Sequence, residues 1–149
     1  MLFNILLSFG YVKPAVGYCQ GMNFVAGALL YVINDEETTF WMLLAMVQKF
    51  HLENLFVSGV PELHLRTYEF NHYVGSILPE IYAHFRRIGL TNGFLTSKWI
   101  ITVFSCYLHI DALVYVWDWF FNQGWKVIYK IGIAILKMFK EEILKFDIE

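Results

Sequence analysis

The 149-residue sequence predicts an all-α fold, a compact multi-helix domain of about eight short helices with no sheet. Three observations lead there. Apolar residues recur at three- and four-residue steps along nearly the whole chain, which is the spacing of one helix face. The alternation between hairpin turns that marks strands is not found. Glycine and proline punctuate the periodic segments, and there is no linker-like run, low-complexity stretch or internal repeat, so the helices belong to one domain.

The elements follow in order. Leu2, Phe3, Leu6, Leu7 and Gly10 form a first short stripe, broken at the Lys13-Pro14 turn. Met22, Val25, Leu29 and Ile33 give a buried helix. Asn34, with Glu37 three positions on, has the form of a capping box opening the next helix, which carries Phe40, Leu43, Leu44, Val47 and Phe50. A break at Ser58-Gly59 precedes Pro61, which suits a first helical turn because its missing N–H is not needed there. Leu63, Phe70, Val74 and Ile77 line that helix as far as Pro79. Ile81, Tyr82, Phe85 and Ile88 follow, stopped by Gly89 as a C-terminal cap. Thr96 or Ser97 is expected to cap a segment bearing Ile100, Val103, Phe104 and Tyr107. Asp111 is expected to cap one bearing Val114, Trp117, Phe120 and Phe121, ending near Asn122–Gly124. The last helix shows Val127, Ile131, Ile135 and Met138, with 141–149 as its charged tail.

Composition narrows the function classes. Hydrophobic residues make up 58% and charged residues 16%, against roughly 25% charged in an ordinary soluble domain. The mean hydropathy of +0.49 raises the question of a membrane. The longest apolar runs are Phe24–Ile33, Phe40–Val47, Trp99–Ile110 and Ala112–Phe121. All fall short of the roughly 20 residues that a spanning helix needs, so no transmembrane insertion is expected. No charged start followed by an apolar stretch and a small-residue cleavage site opens the chain, so no secretory signal is expected. Net charge is −2 and only Arg86-Arg87 are adjacent basic residues, which argues against nucleic acid, whose phosphates demand a clustered basic face. Cys19 and Cys106 lack metal-ligand spacing and favour a reduced intracellular setting.

Catalytic signatures are mostly missing. Phosphate-cradling glycine loops, HExxH, CxxC pairs and GxSxG do not occur, and the five histidines are dispersed. No cofactor and no metal are therefore expected. Cys106 and His109 lie one turn apart, but no third group orients them. Trp117-Asp118 and Gly124-Trp125 read as core and cap, with Trp41, Trp99 and Trp119 as core or groove candidates. Asp118, among so many aromatics, is expected to accept internal hydrogen bonds, since an unpaired buried charge is costly. Met22, Met42 and Met46 read as core fillers.

The unusual segment is Gly17-Tyr18-Cys19-Gln20-Gly21-Met22-Asn23. Polar Gln20 stands immediately before a strongly apolar helix, and the flanking glycines let the backbone take φ > 0 or approach another surface closely. Two readings fit these residues: a helix-start turn that happens to hold a polar residue, or an amide presented outward as donor and acceptor.

This segment resembles the Tyr-x-Gln-Gly signature of TBC domains, the helical fold that activates Rab-type GTPases. Further blocks resemble the same family in the same order: Glu37 to Phe40-Trp41 with Leu43-Leu44, Leu63-His64, Pro79 to Phe85, Trp99 to Phe104-Ser105, Val116-Trp117-Asp118 and Gly124-Trp125-Lys126. The resemblance implies that a glutamine, here Gln20, enters the GTPase site and orients the attacking water, with Tyr18 and Gly21 holding its loop. Packing alone accounts for Tyr18 about as well. It also implies a GTP-bound Rab as partner, hydrolysis in that partner's own site, and cytoplasmic location with membrane association only through the partner.

The departures concern arginine. The family's arginine finger belongs to an Ile-x-x-Asp-x-x-Arg motif upstream of the glutamine motif, and residues 1–149 contain no such motif. Arg66, Arg86 and Arg87 all follow Gln20 and carry no finger role. Tyr115 replaces the family's arginine before Trp-Asp, and Leu108-His109 replaces its Leu-Pro pair. The expectation is thus the C-terminal portion of a TBC domain, with apolar surface left bare where further helices would pack. It is either a GTPase activator or a non-catalytic module that binds or scaffolds GTPases.

Overall fold

The first apolar stripe forms α1, Leu2–Val12, which turns Ile5 and Phe9 into the core. Its outer face keeps Phe3 and Tyr11 at 73% and 78% exposure, the bare apolar surface expected from composition. Lys13 ends the helix, its N–H donating to the Phe9 carbonyl at 2.8 Å and its Nζ pairing with Glu53 at 2.6 Å. The computed structural model describes residues 1–57, 59–90 and 93–146, and among them it has ten helices and no strand.

α2, Met22–Ile33, buries Met22, Val25, Ala26 and Leu29 and packs on α3, Glu36–Lys49. The boundary between them differs from the sequence expectation by one residue. Asn34 is left-handed (φ 54) and closes α2, whereas Asp35 has the extended backbone of an N-cap and its carboxylate accepts from the Thr38 N–H at 2.7 Å. The Thr38 hydroxyl and N–H hold the Asp35 carboxyl below its usual range. α1, α2 and α3 pack on one another as a first group.

A short α4, Glu53–Phe56, not foreseen from periodicity, drives Leu55 and Phe56 inward. Ser58 of the expected break lies outside the described residues. α5, Pro61–Ile77, and α6, Pro79–Arg87, start on their prolines as expected. α6 ends in a Schellman arrangement. Gly89 (φ 69) donates to the Arg86 carbonyl at 3.3 Å and Leu90 to that of Phe85 at 2.9 Å. α7, Gly93–Ile101, begins upstream of Thr96 and Ser97, so neither residue caps it; Thr96 is buried inside it. α7 also stops before Val103, and the rest of the expected segment is a series of turns through Tyr107.

α8, Ile110–Gln123, has His109 at its N-cap, and Asp111 lies in its first turn rather than capping it. There its charge favours the helix N-terminus. Trp117 and Phe120 point inward, while Asp118 and Trp119 face solvent, Trp119 at 60% exposure. Asp118 therefore needs no internal partner, contrary to expectation. Trp41 is also exposed, at 57%, whereas Trp99 packs against the core. α9, Trp125–Met138, follows Gly124 directly, and the charged residues beyond it start a separate short helix, α10, Lys140–Lys145. Residues 147–149 of the charged tail lie outside the described residues.

α5 is the centre of the second group, touching α4, α6, α7 and α9, and α8 pairs with α9. Trp125 joins the two groups. Its Nε1 donates to the Phe50 carbonyl at the end of α3, at 3.0 Å and buried. Phe120 stacks on Phe50 with centroids 4.4 Å apart. Gly27, Gly75 and Gly132 sit inside helices, Gly132 where α9 meets the Phe70 ring.

Candidate functional site

Residues 13–21 link α1 to α2 across the surface. After Lys13 the chain turns tightly, with the N–H groups of Val16 and Gly17 both donating to its carbonyl, at 3.0 and 2.9 Å. A second turn brings the Met22 N–H to the Cys19 carbonyl at 3.1 Å. Asn23 ties this turn together, its Oδ1 accepting from the Gly21 N–H at 3.3 Å and from the Tyr18 hydroxyl at 3.4 Å. Tyr18 thus supports the loop through Asn23 while its ring stays largely exposed.

Gly21 could not be another residue without rearrangement. Its φ of 114° lies where L side chains are strained, and a Cβ would stand 2.5 Å from Ile101 Cγ2. The backbone here rests directly on the end of α7, a close approach only glycine permits. Gln20 is exposed at the crest of the turn. Among the described residues no hydrogen bond engages its side-chain amide. Cys19 beside it is half-buried, and burial pushes its thiol pKa up, which makes it a poor nucleophile. The loop therefore offers an approaching surface a neutral amide that can both donate and accept hydrogen bonds.

The arginines are placed elsewhere. Arg66 is held on α5 by Glu62 and by Glu69 (3.2 Å), and its guanidinium lies over the Trp125 ring at 4.8 Å. Tyr129 donates to the same Glu69. This cluster fastens α5 to α9 and leaves Arg66 no freedom to reach outward. Arg87 contacts Nδ1 of buried His84 at 3.0 Å. Cys106 and His109 are both exposed, Cys106 in the turns after α7 and His109 at the N-cap of α8, so they do not share one helix. Among the described residues no group of three His, Cys, Asp or Glu is arranged for a metal ion, and no helix is long and apolar enough to cross a membrane.

Sequence reasoning missed two contributors. Asn23 stood in the quoted segment, and an amide two residues after a glycine is an available acceptor for that glycine's N–H. The turn after α7 gave no signal, because Thr102-Val103-Phe104 contains none of the residues that mark turns.

The chain matches the family model described as the Rab-GTPase-TBC domain over residues 1–144. It is similar to growth hormone-regulated TBC protein 1 of Homo sapiens, 35% identical over 97% of this chain and 43% of that protein. It is also similar to the Rab GTPase-activating protein eat-17 of Caenorhabditis elegans, 30% identical over 100% of this chain and 17% of that protein. Among solved structures it resembles the Chlamydomonas flagellar RabGAP TBC domain, with a TM-score of 0.83 and 27% identity over 97% of this chain and 48% of that one. The Ypt/Rab-GAP domain of Gyp1p gives a TM-score of 0.84 over 98% of this chain and 54% of that one, at 17% identity, a likeness of fold alone. The chain thus spans less than half the length of these two curated relatives and about half of each solved domain. With the family model covering nearly its whole length, the chain belongs to the Rab-GTPase-TBC domain family.

Proposed function

We propose that this chain is a GTPase-activating module for Rab-type small GTPases in their GTP-bound form, and that Gln20 is the group it inserts. The amide of Gln20 accepts from and donates to the attacking water, orienting it toward the γ-phosphate in the partner's site. Nucleotide, metal and bond cleavage all belong to the partner, and membrane association at the cytoplasmic face of endomembranes runs through it. The physics is positioning combined with electrostatic stabilisation of the charge that develops on the transferred group. The single observation that supports this reading is the exposed, unengaged amide of Gln20 on a turn whose next residue is pinned to α7.

Single-turnover GTP hydrolysis by a panel of Rab proteins tests it, with the chain and its Gln20→Ala variant. Acceleration that falls by about 10²-fold in the variant is expected, the scale of losing one preorganised polar group. Acceleration indifferent to the substitution would remove Gln20 from the mechanism. Capture of GTP-loaded Rab with no acceleration by either protein would mark the chain as a docking module, in keeping with the absence of an Ile-x-x-Asp-x-x-Arg arginine from residues 1–149.

A further inference from the structure

Beyond Ile101 the chain folds through two consecutive left-handed residues, Val103 (φ 47) and Phe104 (φ 65), both fully buried. Residues with a Cβ enter that region only under strain, and a β-branched valine is a true outlier there. Such a turn persists only when its neighbours over-determine it. The Phe104 N–H donates to the Trp99 carbonyl at 3.0 Å. The Thr102 hydroxyl donates to the Lys98 carbonyl and that of Ser105 to the Thr102 carbonyl, both at 2.6 Å. From α8, 14 residues on, Trp117 Nε1 donates to the Val103 carbonyl at 2.9 Å in a buried setting.

The outer side of this turn carries the glutamine loop. A Cβ on Gly21 would stand 2.5 Å from Ile101 Cγ2 and 3.7 Å from Thr102 Cγ2, so the Gly21 backbone lies against the two residues that lead into Val103. Gln20 is one peptide away.

We infer that Trp117 is a positioning residue for Gln20. Its indole N–H fixes the Val103 carbonyl, the fixed turn sets the Ile101–Thr102 ledge, and Gly21 seated on the ledge determines where the Gln20 amide projects. Trp117 is buried, and Asp118 beside it faces solvent and takes no part. The functional consequence rests on the GTPase-activating reading, whereas the mechanical coupling does not.

Trp117→Phe keeps an aromatic ring and removes the donor. Amide hydrogen exchange of this chain by NMR reads the coupling without any GTPase. The Gly21 and Met22 amides, bonded to Asn23 Oδ1 and the Cys19 carbonyl, should exchange about tenfold faster, the scale of one lost hydrogen bond. Those of Leu44 and Val47 in α3 should be unchanged. Changes confined to residues 102–105, with Gly21 and Met22 as in the parent, would overturn the inference. Should Trp117→Phe fail to fold, Ile101→Ala removes the ledge from a half-exposed position and leaves the indole bond intact. The same response at Gly21 and Met22 is then required, and its absence is equally fatal.

On a Rab that the chain accelerates, Trp117→Phe should lower kcat about tenfold with KM within about twofold, because misplacement harms reacting geometry rather than docking. That loss should vanish in the Gln20→Ala background, whereas an additive loss overturns the inference. If Gln20→Ala is itself silent, the finger reading falls and the exchange data still decide the coupling.

Discussion

Alanine placed at Gly75 and at Gly132 makes the same chemical change inside two helices and should move stability in opposite directions. Gly75 lies in α5, where a Cβ would meet the Tyr82 ring at 3.7 to 3.8 Å, an ordinary van der Waals contact. Alanine there gains helix propensity, about 0.8–1 kcal/mol, by restricting the unfolded chain. Gly132 lies in α9, where the new Cβ would stand 2.7 Å from Phe70 Cε2 and 2.9 Å from Cζ. The ring must retreat by about 0.7 Å to restore a 3.4 Å approach, the distance at which Trp99 Cζ3 already stands. Little room is open to it, since the cavity that the ring borders with Val74, Phe85 and Leu136 measures only about 10 Å³. Phe70 is buried, with Trp99 and Tyr129 at centroid distances of 6.2 and 6.3 Å. Overpacking of this kind costs about 1–3 kcal/mol, which outweighs the propensity gain and leaves Gly132→Ala about 1 kcal/mol less stable. Urea unfolding of both variants, followed by circular dichroism, measures the difference, with Gly75→Ala about 2 kcal/mol above Gly132→Ala. Adding Phe70→Leu should cost less in Gly132→Ala than in the parent chain, because the smaller side chain makes room. A Gly132→Ala protein as stable as Gly75→Ala would refute the packing of α9 against α5 described above.

Two predictions concern pH. Because Thr38 lowers the Asp35 carboxyl on folding, its contribution is complete above the ordinary carboxylate range and is lost as pH falls through the lowered folded value; Asp35→Asn should flatten the acid limb of stability measured by thermal melts between neutral and acidic pH. Tyr129 runs the other way: burial, reinforced by its hydrogen bond to Glu69, raises its phenol pKa well above the ordinary value of 10.0. Its contribution is full below that ordinary value and drains away as pH climbs toward the raised one. Tyrosinate absorbance during an alkaline titration should therefore show one tyrosine ionising last, and Tyr129→Phe should abolish that late step.

Where punctuation residues stood in the chain, the fold was legible. Pro61, Pro79, Gly89 and Gly124 each mark a helix end because proline and glycine restrict or free the backbone whatever surrounds them. Asn34 and Asp35 were harder, since either side chain is able to cap; only the backbone shows that the first closes one helix and the second opens the next. The aromatic neighbours of Asp118 in sequence are a poor guide to its setting. On a helix, successive residues turn away from one another by about 100°, so Trp117 is inside while Asp118 and Trp119 are outside. The exposure of Gln20 is compatible with both readings of its segment. What holds the segment was not legible, because the turn at Val103-Phe104 comes from tertiary contacts that override local preference.

The Trp125 indole has a kinetic consequence. Its acceptor, the carbonyl of Phe50, lies 75 residues earlier, so this carbonyl at the end of α3 waits for α9 before the indole reaches it. A chain emerging residue by residue closes this loop late, and ring closures over such separations slow the search for the native state. The first three helices will therefore assemble early but become resistant to unfolding only once the C-terminal helices have docked.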